Sequence, residues 1–323
     1  MANFPKRIEI KEEGPREGFQ IEKNPIPTAR KIEFIDALSE TGLKTIQTVS
    51  FVNPKVVPNM ADAEEVVAGF HAKPGVTYTG LYLNDQGMAR AMATKKLTLK
   101  GSISLCASEA FLKRNQNRTL EQQEAAQHDS VERLKKNDIK IESGGISAAF
   151  GCNFEGDVKL ERIMELSKTI FDIAEQHDVK LKHLALMDTM AWATPDRIKR
   201  YVGALQDKYP DVEIGLHLHD TRGMGIANAY AGLEMGVVHY DSCVAGLGGC
   251  PFAGHAGAAG NVCTEDLVFM AHEMGIETGL DLDKLIECAR MAEDIVGHPL
   301  GGSVMTGGSL QKMRDKIGAG AAA

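Results

Sequence analysis

The sequence predicts an α/β protein whose parallel sheet closes into a (β/α)8 TIM barrel, followed by a short C-terminal helical extension. Short apolar runs rich in β-branched residues alternate with longer stretches of helical periodicity, the pattern of repeated βα units. Eight such runs occur, which suits a closed barrel better than an open doubly wound sheet. No GxGxxG or GxxxxGK(S/T) follows the first run, so the phosphate loops of the nucleotide-binding α/β folds have no counterpart there. The length agrees, since 323 residues accommodate one barrel of about 250 residues and an extension.

Strands are expected at 7–11, 45–49, 76–83, 102–106, 139–147, 181–187, 212–219 and 238–244. The helices between them are expected at 28–40, 61–70, 86–95, 120–136, 158–177, 195–208 and 226–235. After the eighth strand, the stretch from Gly246 to Asn261 is so rich in Gly and Ala that it cannot pack a core; we read it as a mobile lid. Helices at 264–274 and 281–296 close the chain, and the small-residue tail 318–323 is the one segment expected to be disordered. The barrel is assigned to 1–275 and the extension and tail, packed on it, to 276–323.

A hydrophobic fraction of 43% and a charged fraction of 25% are ordinary for a globular protein with a sizeable core. A net charge of -8 argues against nucleic acid or an anionic membrane as the main partner, while leaving room for an anionic small substrate. Neither a signal peptide nor an uninterrupted 18-residue apolar run is present in the sequence, so the chain reads as a cytoplasmic protein. Six cysteines without a CxxC pair read as free thiols.

Active sites of such barrels gather at the C-terminal strand ends. His217 and His219, one leucine apart at the end of the seventh strand, face the same way because side chains alternate along a strand. Two neutral imidazoles on a rigid strand end suit a divalent cation, although such a pair is also compatible with purely structural hydrogen bonds. Glu17, after the first strand, and the amide oxygen of Asn261 would complete a mixed nitrogen and oxygen set for Mg²⁺ or Mn²⁺; two histidines and one carboxylate equally describe a non-haem iron triad. Arg16, between Pro15 and Glu17, is read as a fixed donor for a developing oxyanion. Cys250, inside a Gly-Gly-Cys-Pro lid, is read as a thiol delivered to the site on closure. Gln20, Gln47, Asp188 and Thr189 stand at the same barrel end as substrate-binding candidates, with Asp188 alternatively orienting a neighbour and Asp220 read as a helix cap.

Together these residues resemble the hydroxymethylglutaryl-CoA lyase family, within the metal-dependent barrel enzymes called DRE-TIM metallolyases. The resemblance lies in Gly14-Pro15-Arg16-Glu17-Gly18-Phe19-Gln20, in Ser50-Phe51-Val52-Asn53-Pro54-Lys55, in His217-Leu218-His219-Asp220-Thr221, in Val244-Ala245-Gly246-Leu247-Gly248-Gly249-Cys250-Pro251 and in Gly260-Asn261-Val262. It implies a divalent cation on Glu17, His217, His219 and Asn261, Arg16 on the thioester or enolate oxygen, and proton transfer by Cys250. It further implies an acyl-CoA substrate, no organic cofactor beyond that thioester, and a homo-oligomer.

Several positions depart from the family. Glu17 stands in place of an aspartate, Gln47 in place of a glutamate that partners the arginine, and Ala185 in place of a substrate-contacting serine. The lid is longer and gains His255, and Trp192 occupies a loop that is small and Gly-rich in the family. An intact metal, arginine and thiol set inside an altered pocket implies a carbon–carbon lyase acting on hydroxymethylglutaryl-CoA or a related branched 3-hydroxyacyl-CoA. The alternatives are a Claisen-type condensing synthase of the same superfamily and a barrel that binds metal and acyl-CoA without turnover.

Overall fold

The structure is a computed structural model that describes residues 4–249 and 260–321. Eight parallel strands form one sheet: β1 (Glu9–Glu12), β2 (Thr45–Ser50), β3 (Thr77–Leu81), β4 (Gly101–Cys106), β5 (Ile141–Ser147), β6 (His183–Asp188), β7 (Glu213–Leu218) and β8 (His239–Ser242). Their order is β3-β2-β1-β8-β7-β6-β5-β4, so neighbours in the chain are neighbours in the sheet and β1 pairs with β8. At the seam between β3 and β4, the Thr98 amide donates to the Tyr78 carbonyl at 2.8 Å and the Tyr82 hydroxyl to the Lys100 carbonyl at 2.8 Å. The sheet therefore curls into the expected (β/α)8 barrel.

Alternation along each strand decides what faces the helices. Ile214, Leu216 and Leu218 of β7, and Leu184 and Leu186 of β6, are buried in the layer between sheet and helices. There they meet α6 (Leu160–Gln176), α7 (Pro195–Lys208) and α8 (Gly225–Glu234), whose own apolar stripes include Ile163, Ile170, Ile198 and Leu233. The opposite, inward-facing set is polar: Glu9 and Lys11 of β1, His183 of β6, Glu213 and His217 of β7, His239 and Asp241 of β8. The helices α1 (Thr28–Ser39), α2 (Ala63–Gly69), α3 (Asp85–Ala93) and α5 (Leu120–Lys136) complete the ring.

One helix escaped the sequence reading. After β4 the chain enters α4 (Glu109–Gln116), capped by Ser108, whose hydroxyl accepts from the Phe111 amide at 3.1 Å, and ended by Asn117 at φ +53°. Eight residues with only Phe111 and Leu112 buried carry too little periodicity to stand out.

After the eighth strand come α9 (Thr264–Glu273) and α10 (Leu282–Val296), with α11 (Ser303–Gly307) and α12 (Leu310–Ala321) beyond the expected elements. The apolar face of α10 packs within the chain: Leu285, Ile286, Ala289 and Ala292 are buried, against α1 and the turn after β8. α12 carries the helix into the tail expected to be disordered, as far as Ala321. Among the described residues no helix is long and apolar enough to cross a membrane, and Cys106, Cys152, Cys243, Cys263 and Cys288 are free and buried.

The turn after β8 depends on a buried acid. Glu265 of α9 is fully buried and accepts from the Ala245 amide at 2.9 and 3.1 Å, holding that residue at φ +58°. Burial pushes its carboxyl up to about 8. A folded pKa above the unfolded value means the native state binds the extra proton, so this stability is present below about pH 4.5 and is lost as pH rises through about 8. Glu265→Gln keeps the acceptor without the charge. Denaturant unfolding from pH 5 to 8 is expected to show the wild type losing a few kcal/mol relative to the variant; parallel curves would contradict this.

Candidate active site

β1 runs into a π-helical turn, Gly14–Gly18, with Pro15 in its first turn. Such turns are uncommon and concentrate at functional sites. Buried Glu12 ties this turn to the far end of the chain: Oε1 accepts from the Gly14 amide at 2.8 Å and the Val244 amide at 3.1 Å, and Oε2 accepts from the Thr264 hydroxyl at 2.6 Å. Burial pushes the Glu12 carboxyl up to about 7. The turn presents Arg16 and Glu17 at the C-terminal end of the barrel.

Because β1 lies beside β8, and β8 beside β7, Glu17 meets the end of β7. Glu17 Oε1 lies 3.1 Å from His219 Nε2 and 3.6 Å from His217 Nε2, and the two ring nitrogens are 3.2 Å apart. The opposite nitrogens have their own partners: His217 Nδ1 lies 3.2 Å from Asp241 Oδ2, and His219 Nδ1 lies 2.9 Å from the Thr189 carbonyl. A donor on Nδ1 leaves the Nε2 lone pair facing Glu17, the arrangement that prepares an imidazole to bind a cation.

Asn261 arrives by backbone pairing. The Asp220 amide donates to the Gly260 carbonyl at 2.9 Å and the Val262 amide to the Leu218 carbonyl at 2.9 Å, so Asn261 sits beside His219. Its Nδ2 donates to Glu17 Oε1 at 2.9 Å, while its Oδ1 is buried with no partner among the described residues. Gly260 is required here, since a Cβ would stand 2.3 Å from the Leu247 carbonyl oxygen and 2.5 Å from that of Gly248. Backbone oxygens cannot swing away. Gly260→Ala is expected to lower stability by about 2 kcal/mol or more and to weaken Mn²⁺ binding at least tenfold by displacing Asn261. Calorimetry with metal titration tests this; unchanged melting and affinity would contradict it.

Arg16 is fixed on three sides. Its Nε–H donates to Gln47 Oε1, one terminal nitrogen to Glu13 Oε2, and the other pairs with Glu17 Oε2 at 2.8 Å. The resemblance implied that Gln47 removes a negative charge from beside this arginine. The structure supplies one from Glu13, which also pairs with Lys11 and lies 4.0 Å from His217. Burial opposes the Arg16 charge, but Glu13 and Glu17 raise its pKa further. Burial likewise opposes the Glu17 charge, yet Arg16 and His217 hold its carboxyl well below the usual range. Asp241 and Lys11 were missed in the sequence because they meet only when β8 closes against β1, and Glu13 because its contact with Arg16 needs the turn after β1. The signal available was the run of charged residues in Lys11-Glu12-Glu13 on an inner strand.

The remaining candidates fall in different places. Asp188 is buried and its carboxylate accepts from the Trp192 amide at 2.7 Å and the Ala193 amide at 3.1 Å, so it anchors the turn after β6. Burial pushes it up to about 6. Thr189 accepts from the Ala148 amide through Oγ1 at 2.9 Å, in addition to its carbonyl contact with His219. Gln20 Oε1 and Ser50 Oγ are buried without a partner among the described residues, like Asn261 Oδ1. Trp192 donates its indole N–H to Asn153 Oδ1 at 2.7 Å and packs on Gly151, where a Cβ would come within 2.6 Å of the ring. Asp220 accepts from the Gly225 amide at the start of α8, but it is not the helix cap expected, since Met224 holds that position. Cys250 and His255 lie outside the described residues.

The charges define what this cluster can hold. Glu13, Glu17 and Asp241 face Lys11 and Arg16, so the inner charges sum to a net negative. Although burial disfavours it, Glu17 and Asp241 push the His217 ring up to about 10. A proton there is one way to balance the cluster. A divalent cation on Glu17, His217 and His219, whose ligand atoms lie within 4.8 Å of one another, is the other. The orphaned Asn261 oxygen supplies a fourth donor of the right kind.

Comparison with known proteins points to one family. The sequence profile of the HMGL-like family matches residues 7–292. Hydroxymethylglutaryl-CoA lyase, mitochondrial, of Gallus gallus is 39% identical over 286 residues, covering 88% of this chain and 92% of that protein. The 3-hydroxy-3-methylglutaryl-CoA lyase, cytoplasmic, of Rattus norvegicus is 38% identical over 287 residues, covering 89% and 80%. A solved HMG-CoA lyase from Acinetobacter baumannii, in complex with coenzyme A and 3-methylmalate, superposes with a TM-score of 0.84 at 34% identity, covering 96% of this chain and 97% of its own.

Proposed function

We infer the reaction from one premise: this chain belongs to the HMGL-like family. It is a carbon–carbon lyase that cleaves a branched 3-hydroxyacyl-CoA, hydroxymethylglutaryl-CoA or a related compound, into an acyl-CoA and a keto product. The observation that carries this reading is the convergence of Glu17, His217, His219 and Asn261 beside a fixed Arg16.

Glu17, His217, His219 and Asn261 would hold the divalent cation, with Mg²⁺ or Mn²⁺ fitting two nitrogens and two oxygens. When bound it supplies positive charge to the hydroxyl and carboxylate oxygens of the substrate, lowering the hydroxyl pKa. The rest falls to the chain itself. Asp241 and the Thr189 carbonyl set the orientation of the two imidazoles. With three of the five N–H groups of Arg16 engaged by described residues, two remain to donate to the thioester oxygen as the carbon–carbon bond breaks and charge moves onto it. Because Gln47 and Glu13 fix the guanidinium beforehand, little reorganisation is left for the moment of reaction. Cys250 is our candidate for the proton that converts the enolate to the acyl-CoA.

The acyl group is the finer part of the proposal. Glu17 in place of aspartate, the Gln47 and Glu13 pair, and Trp192 over the Gly151 turn support a substrate related to hydroxymethylglutaryl-CoA as readily as that compound itself. The relatives' names include cytoplasmic and mitochondrial forms, and we read this acidic chain as a cytoplasmic homo-oligomer. Purified protein with Mg²⁺ or Mn²⁺, offered a panel of branched 3-hydroxyacyl-CoAs, is expected to release acetyl-CoA or propionyl-CoA from at least one, detected by mass spectrometry. Metal-loaded protein that cleaves none of them would overturn the reading.

A further inference from the structure

At the opposite end of the barrel, three adjacent strands begin with inward-facing residues able to bind a metal: His183 of β6, Glu213 of β7 and His239 of β8. Branched apolar side chains dominate such positions in barrels of this kind, so two imidazoles and a carboxylate in one layer call for an explanation. Glu213 Oε2 lies 3.1 Å from His183 Nδ1 and 2.6 Å from His239 Nε2, and the two rings meet edge-on with centroids 4.8 Å apart. The three ligand atoms all lie within 4.8 Å of one another. A second observation points the same way: Glu9 Oε2 stands 3.7 Å from His239 Nδ1, an ion-pair distance rather than a hydrogen bond, on the ring nitrogen opposite the one facing Glu213, where a carboxylate supports a metal-binding imidazole. Burial and the neighbouring His239 lower the His183 pKa, which favours the neutral ring that ligates.

We propose that His183, Glu213 and His239 form a transition-metal site of the zinc class at the floor of the barrel, separate from the cation site at its mouth. Two nitrogens and one carboxylate oxygen leave a fourth tetrahedral position for water. Side-chain exposures of 38%, 56% and 28% let the ion load from solvent. Each ligand comes from a different strand, so the ion staples the starts of β6, β7 and β8. Its effect is on stability rather than chemistry.

The test uses full-length protein stripped with chelator, in a His217→Ala background that disables the mouth site. Zinc titration against a chromophoric chelator is expected to show one ion per chain, Co²⁺ to give the intense visible bands of tetrahedral coordination, and zinc to raise the melting temperature. Adding His183→Asn and His239→Asn is expected to remove all three signals. Glu9→Gln, which leaves every ligand in place, is expected to weaken zinc roughly tenfold, a change that a chance surface contact would not produce. Zinc binding of equal stoichiometry and affinity with and without His183 and His239 would overturn the proposal, as would no binding in the His217→Ala protein.

Discussion

His219→Ala is expected to lower kcat/KM by a thousandfold or more, roughly 4 kcal/mol of transition-state stabilisation, and to weaken Mn²⁺ binding in parallel. The side chain is 3% exposed, its Nδ1 is fixed by the Thr189 carbonyl at 2.9 Å, and its Nε2 faces both Glu17 and His217. No neighbouring group among the described residues takes its place as a neutral donor. Loss of the ring also leaves the Thr189 carbonyl without that partner, a cost of about 1–3 kcal/mol in folding. Stability and affinity must therefore be read together, by denaturant unfolding and by the electron paramagnetic resonance of free Mn²⁺. A folded variant that binds Mn²⁺ as the wild type does, and turns over at the same rate, would show that His219 is structural.

Arg16→Met is expected to cost about a thousandfold in kcat while every proposed metal ligand stays in place, because the guanidinium is the one donor proposed to act on the thioester oxygen. It carries a second cost. Glu13 and Glu17, now buried without their shared partner, destabilise the fold by about 3 to 5 kcal/mol. These two effects separate in a double variant. Adding Glu13→Gln removes one of the two buried carboxylates that Arg16 neutralises and is expected to restore much of the stability without restoring turnover. Arg16→Lys keeps a charge but not the fixed fork of donors, and is expected to fold well and remain at least a hundredfold slow. Recovery of activity in the Arg16→Met, Glu13→Gln protein would place the role of Arg16 in folding instead.

The balance between Glu13 and Gln47 also shows where reading from sequence stops. The two histidines were legible because their relation is local: a period of two along one strand puts both rings on one side. The barrel was legible because its repeat recurs eight times. Glu13 was not, since its place beside Arg16 depends on the π-helical turn that brings positions three apart together, and its distance to His217 exists only once β1, β8 and β7 lie side by side. Asp188 could be placed at a strand end, but its commitment to the amides of Trp192 and Ala193 depends on a turn that no short motif announces. The charge lost at position 47 was visible in the chain. Its replacement, at the end of the neighbouring strand β1, was visible only in three dimensions. The same limit explains α10, whose apolar stripe is evident in sequence although its partner, α1, is remote in the chain.

Crystals grown with Mn²⁺ and measured at the manganese absorption edge address the central claim most directly. An anomalous peak within bonding distance of Glu17, His217, His219 and Asn261, beside Arg16, is the result expected. A map without a peak among those four groups, from crystals of active enzyme containing the ion elsewhere, would contradict it.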